Sequence, residues 1–396
     1  MMGLCVMKFG GTCLATPEDR ERSAELCREE LKSFQKAVVV VSAMGRDGDP
    51  YSTDTLMELV GDPRPEERSC ILACGEILAA AVFADLLRSG GTDATSVTGW
   101  NAGLRTDHRE CGADLESVER DHLLSALERS SCVVVAGFQG MSASGRVSTL
   151  GRGGSDITAA AIAAALGADQ LILFKKVDSV YTADPRRVPE AMKVERIAAE
   201  DLRQLAWQGA EVVHPRASEI AGDAGMGITV KSHTSGSRVT DIEPFVLRTG
   251  RYITGVASGP DAVQFRVHDV SSRPAHEFHS LAFGTVAAAG VSMDMFSVVD
   301  SLAMFTVPLE ERDTVGQALD RAGLKYSTEF PCAKVSIVGA GMHGMEGVMA
   351  RFSLALHRAG IDMLQTVDSH ATISALVRLE KIDEALRALH REFLEQ

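Results

Sequence analysis

Short apolar runs rich in β-branched residues alternate with longer helical stretches through the first 170 residues. That alternation restricts the chain to a parallel sheet wrapped in helices. Val38-Val39-Val40-Val41 suits a buried central strand and is too short for a helix. Strands are expected over 4–9, 132–136 and 171–174, with helices over 17–35, 66–88 and 157–166. The apolar runs at 38–41 and 159–166 are too short to cross a bilayer, and residues 1–11 lack the pattern of a signal peptide.

Beyond about residue 250 the pattern changes. A helix ending at Gly290, then Val291-Ser292-Met293-Asp294 and Val299-Asp300-Ser301, is followed by a second such set. There the helix ends at Gly360, followed by Ile361-Asp362-Met363 and Val367-Asp368-Ser369. A repeat of about 70 residues implies two copies of one small α/β module rather than a solenoid. The expected division is a catalytic domain over 1–246 and modules over 251–327 and 328–396.

The chain carries 54 acidic against 40 basic side chains, a formal net charge of −14. That field opposes unaided binding to nucleic acid or anionic membrane, and aromatics at 5% offer few stacking surfaces. Eight scattered cysteines, without a CxxC pair or a His cluster at zinc spacing, support neither a disulfide framework nor a metal finger. A cytoplasmic enzyme or small-molecule sensor is expected.

Two motifs carry chemistry. Lys8-Phe9-Gly10-Gly11-Thr12 sets a lysine at a strand end before glycines whose amides can approach a phosphate. Gly151-Arg152-Gly153-Gly154-Ser155-Asp156 opens an Ala-rich helix, so amides and the positive helix end face one spot. Arg152 can clamp a carboxylate in bidentate fashion. The plainer alternative makes Ser155 or Asp156 a helix cap, which leaves the three glycines and the arginine without a role.

These motifs, with Val40-Val41-Ser42-Ala43-Met44-Gly45, Gly75-Glu76, Gly137-Phe138, Val180-Tyr181-Thr182-Ala183-Asp184-Pro185-Arg186 and His214-Pro215-Arg216, resemble the successive motifs of aspartokinases. The tandem repeat resembles their paired ACT regulatory domains. Gly48-Asp49-Pro50-Tyr51 and Cys332-Ala333-Lys334-Val335-Ser336 are similar to the diaminopimelate-regulated branch found in spore formers. The resemblance implies an α/β amino-acid-kinase-type sandwich with a mainly parallel sheet, followed by two βαββαβ modules. It implies ATP-dependent phosphorylation of the aspartate side-chain carboxylate, with Mg2+ held mainly by nucleotide phosphates. Lys8 and Asp156 would be catalytic; Thr53, Glu76, Arg152 and Ser155 would hold aspartate. Lys8, Gly10, Gly11, Lys175, Lys176, Tyr181, Arg186 and Glu211 would line the nucleotide site. Asp294 and Asp362 would mark amino-acid effector sites for lysine or diaminopimelate, and a homodimer would form through the ACT modules. Read singly, Glu76 also suits a helix surface, Thr53 a turn cap, and the two aspartates solvated turns.

The sequence departs from the family where Lys175-Lys176 replace Thr-Asp, Ser179 a glycine, Glu211 a lysine and Ile157 a threonine. At about 4 Å and an effective dielectric near 20, each unit of charge matters by roughly 4 kcal/mol. Either the charges have exchanged places, Lys175 or Lys176 pairing with Glu211, or the nucleotide or acceptor differs, or the domain has lost catalysis and serves regulation. Retention of Lys8, Glu76, Arg152, Ser155, Asp156, Tyr181 and Arg186 favours an active kinase.

Overall fold

The computed structural model describes residues 2–151, 153–177, 180–207, 213–243, 252–270, 273–342 and 345–395. The chain divides into two compact units. The first comprises 1–180, 193–203 and 212–247; the second comprises 181–192, 204–211 and 248–396.

In the first unit Met2–Phe9 lies at the middle of an eight-stranded sheet, between Phe34–Val41 and Gln170–Lys175, both parallel to it. Cys132–Ala136 and Ala94–Val97 extend one side. On the other side come Ile228–Ser232, Arg238–Glu243 and Arg196–Ala198. The pair Ile228–Ser232 with Arg238–Glu243 is antiparallel; the remaining neighbours run parallel. The valine run at 38–41 is fully buried at the sheet centre, as its composition predicts. Period-two alternation places Cys5, Met7 and Phe9 in the core beneath helices Pro17–Leu31 and Pro65–Ser89. Lys8 therefore faces the opposite side, where helix Gly154–Leu166 packs.

Helix Pro65–Ser89 corrects one expectation. It is long and apolar enough to cross a membrane by composition, a property the two shorter runs do not represent. Half of its most apolar window is buried against the protein, which is how a core helix behaves.

The second unit holds a six-stranded antiparallel sheet in the order Asp294–Val299, Leu302–Pro308, Gly255–His268, Lys325–Val338, Thr372–Arg378, Gln365–Asp368. The repeat read from the sequence appears as helices Ala275–Ala288 and Val348–Arg358, ending at Gly290 (φ 77°) and Gly360 (φ 68°). The strand pairing does not follow a cut at residue 328. Residues 255–258 of the first long strand pair with 335–338, whereas 262–268 pair with 302–308. Accordingly Ile253 and Val256 pack with the second module's core, and Val263, Phe265 and Val267 with the first. Residues 181–192 also belong to this unit rather than to a continuous 1–246 block. The Val256 amide donates to the Thr182 carbonyl at 2.7 Å, and Arg187 Nε lies 2.5 Å from Asp383 Oδ1.

Candidate active site

The site is built at the carboxyl end of the central strands, where the chain turns away in glycine-containing loops. Gly11 permits a close approach: a Cβ there would stand 2.5 Å from the Ala43 carbonyl oxygen. The Gly45 amide donates to the Gly11 carbonyl at 3.0 Å, stitching the two loops together. Gly75 performs the same service from helix Pro65–Ser89, since its Cβ would lie 2.7 Å from that of Ala43.

Lys8 is 6% exposed and Asp156 is 4% exposed. Lys8 Nζ sits 2.7 Å from Asp156 Oδ1, and Lys175 Nζ donates to Asp156 Oδ2 at 2.8 Å. Burial alone would raise the Asp156 carboxyl; the Lys175 and Lys8 charges overcome it and hold the group well below the ordinary carboxylate range. Burial lowers the Lys8 ammonium, Asp156 opposes that, and the Lys175 charge adds to it.

Asp156 reaches this position because helix Gly154–Leu166 starts from Gly153, in the left-handed region at φ 72°. No side chain caps that helix, so neither Ser155 nor Asp156 is its N-cap. Ser155 is buried in the first turn. A Cβ on Gly153 would stand 2.2 Å from the His214 ring, which makes glycine obligatory twice over.

Glu76 is 3% exposed, which removes the helix-surface alternative. Its Oε1 accepts from the Ala43 amide at 3.1 Å, while Oε2 is buried with no hydrogen-bond partner among the described residues. Burial pushes its carboxyl up to about 8, the Ala43 amide and the Lys8 charge offsetting part of the cost. Thr53 is half-buried as the first residue of helix Thr53–Met57. Ser52 supplies the cap instead, accepting from the Thr55 amide at 3.3 Å.

Lys176 pairs with Asp19 at 2.7 Å, so the two adjacent lysines have different partners. Arg152 and Glu211 lie outside the described residues, and so does the expected pairing of Glu211 with a lysine. Tyr181 and Arg186 belong to the second unit, where Arg186 is exposed and forked onto Asp184 at 2.8 Å. Of the two effector candidates, Asp294 is bonded to Lys334 at 2.5 Å and Asp362 is exposed.

Two features go beyond the roles that the motifs suggested. Phe138 holds φ 68°, a strained value for a bulky residue, and its amide donates to Thr158 Oγ1 at 3.1 Å. Gln139 is fully buried, donating to the Ala73 carbonyl at 2.9 Å while its Oε1 has no partner among the described residues. The sequence signals were the Gly137-Phe138 motif and the following Gly140, neither of which gave these two side chains a role.

Comparison with known proteins fits this geometry. The amino acid kinase family model matches residues 3–232, and an ACT domain model matches 335–393. Aspartokinase 1 of Bacillus subtilis is 38% identical over 402 residues, covering 99% of each chain. The aspartokinase of Geobacillus stearothermophilus is 34% identical, over 99% of this chain and 97% of its own. In fold the chain is similar to Escherichia coli aspartokinase III solved with aspartate and ADP. The TM-score is 0.80 at 22% identity, covering 99% of this chain and 100% of that one.

Proposed function

The chain belongs to the aspartokinases, and on that premise we propose how its residues divide the work of phosphorylating aspartate. The reaction is ATP-dependent transfer of the γ-phosphoryl group to the aspartate side-chain carboxylate. A carboxylate oxygen attacks the γ-phosphorus, the bond to the β–γ bridging oxygen breaks, and ADP departs with the electron pair. The nucleophile is already ionised, so no general base is needed and the protein contributes alignment and electrostatics.

Lys8 stabilises charge on the phosphoryl group in flight, and Asp156 fixes its position from the first turn of helix Gly154–Leu166. The orphaned Oε2 of Glu76 receives the aspartate ammonium, which supplies the counter-charge that buried carboxyl lacks. Ser155, Thr53 and Arg152 hold the substrate's carboxylates. Gly10, Gly11 and Lys175 face the nucleotide phosphates, while Lys176 is held away on Asp19. Among the described residues no group of three His, Cys, Asp or Glu side chains could hold a metal ion. Magnesium arriving with ATP would be held mainly by the nucleotide phosphates and water, and would offset their negative charge.

The tandem modules bind an amino-acid effector, lysine or diaminopimelate, at the corners beginning at Gly290 and Gly360, and pair two copies of the chain in the cytoplasm. Inhibition then follows from unequal effector affinity for active and inactive arrangements. The observation that carries the assignment is the buried Lys8–Asp156–Lys175 cluster. Trapping the acyl phosphate with hydroxylamine tests it: aspartate and ATP together yield the hydroxamate. Absence of product with aspartate, alongside product with another small carboxylate, contradicts the acceptor. Effector binding by calorimetry with no ATP binding would instead mark a regulatory homologue.

A further inference from the structure

The cluster around Asp156 has one carboxylate and two ammonium groups. Each carboxylate oxygen already has its lysine, Lys8 at 2.7 Å and Lys175 at 2.8 Å. Among the described residues no second carboxylate pairs with either lysine. A lone Lys8–Asp156 pair would be neutral, which is the arrangement that burial favours. Adding Lys175 leaves a net positive charge beside two side chains that are 8% and 6% exposed. That excess works against Lys8, whose ammonium it makes harder to keep charged. Among the described residues nothing balances that excess, and an anion joining the cluster would balance it.

The position of Lys175 says which anion. It ends strand Gln170–Lys175, directly beside the strand that carries Lys8, at the carboxyl edge of the parallel sheet. Its side chain is 21% exposed, so it reaches the open part of the site while Lys8 stays beneath. The neighbouring Lys176 is turned aside to Asp19. The His233 amide donates to the Lys175 carbonyl at 2.8 Å, which fixes the backbone from which the side chain projects.

We propose that Lys175 is a second catalytic lysine, held on Asp156 and bonding the same transferring phosphoryl group as Lys8. The inference rests on the kinase assignment above and deepens it from general nucleotide contact to a charge on the reacting atoms. As the carboxylate oxygen of aspartate bonds the γ-phosphorus and the bridging oxygen leaves on ADP, negative charge spreads over the equatorial oxygens. Two ammonium groups share it. Asp156 keeps them from repelling each other apart and is itself unchanged by the step.

The test compares Lys175→Met, Lys175→Arg and the surface control Lys32→Met in the full chain, with hydroxylamine trapping. Lys175→Met is expected to lower kcat by about 100- to 1,000-fold, with KM for aspartate within about threefold of wild type. Lys175→Arg is expected to recover at least about tenfold of that loss, because it restores the charge on Asp156. Thermal unfolding of each variant separates catalysis from folding. If Lys175→Met retains kcat within about threefold, the proposal is wrong. It is equally wrong if methionine and arginine lose activity alike in step with a lowered unfolding midpoint. No product from wild type overturns the assignment of the reaction, and Lys175 with it. Product from wild type and Lys175→Met alike overturns Lys175 alone.

Discussion

Asp156 and Glu76 are two carboxylates of one unit, 4% and 3% exposed, and they end in opposite states. Asp156 has a lysine on each oxygen and stays ionised far below the usual range. Glu76 has one amide on one oxygen, nothing on the other among the described residues, and holds its proton to about 8. Desolvation acts on both; the two ammonium groups make the difference. The first pole carries surplus positive charge and suits an anion. The second is short of a cation. A substrate with an ammonium at one end and an anionic transfer at the other finds both complements already in place.

The comparison breaks most severely if Lys8 is removed. Lys8→Met leaves Asp156 with a single partner and is expected to cut kcat by about 1,000-fold in the trapping assay. Glu76→Gln attacks the other pole. Losing a charge-assisted contact of about 1.5–3 kcal/mol should raise KM for aspartate by about 10- to 150-fold, while kcat at saturation changes far less. In steady-state profiles, wild-type KM for aspartate should fall as pH rises towards 8, as Glu76 sheds its proton, and Glu76→Gln should flatten that dependence.

Stability sharpens the contrast with signs. Folded, ligand-free Glu76 retains a proton that the unfolded chain releases near 4.5, so its contribution to stability declines as pH climbs from there through about 8. Glu76→Gln should therefore raise the unfolding midpoint relative to wild type at pH 9 and not at pH 4.5. Asp156 runs the other way: its contribution is present above the ordinary 3.8 and is lost as pH falls through its depressed value. Gly153→Ala, which drives a methyl into the His214 ring, should cost roughly 2 kcal/mol by denaturant unfolding. The smallest effect is expected in the second unit. Lys334→Met releases Asp294 and should shift the effector concentration for half-inhibition by about threefold, leaving uninhibited kcat alone.

Much of this was legible in the residues. The run at 38–41 announced a buried parallel strand, and Gly290 and Gly360 marked the ends of two repeated helices. What stayed hidden depends on long-range pairing or on distance. The first four residues of strand Gly255–His268 pair in the second module, which no local pattern encodes. A Gly-Gly-Ser-Asp run reads equally well with the serine or aspartate as cap, and only the left-handed φ of Gly153 decides it. Glu76 looks like a surface residue on a helical wheel until Ala43 and the sheet close over it. The sign change at Lys175 was plain in the sequence; that its partner is Asp156 was not, because charge carries no address.

The opposed ionisation of the two poles is tested most directly by calorimetry of aspartate binding near pH 7 in buffers of different ionisation enthalpy. A Glu76 carboxyl at about 8 enters that titration protonated and must ionise to meet the substrate ammonium. Wild type should release close to one proton, about 0.9, per aspartate bound, and Glu76→Gln should release none. Aspartate binding to wild type with no proton released would contradict the account.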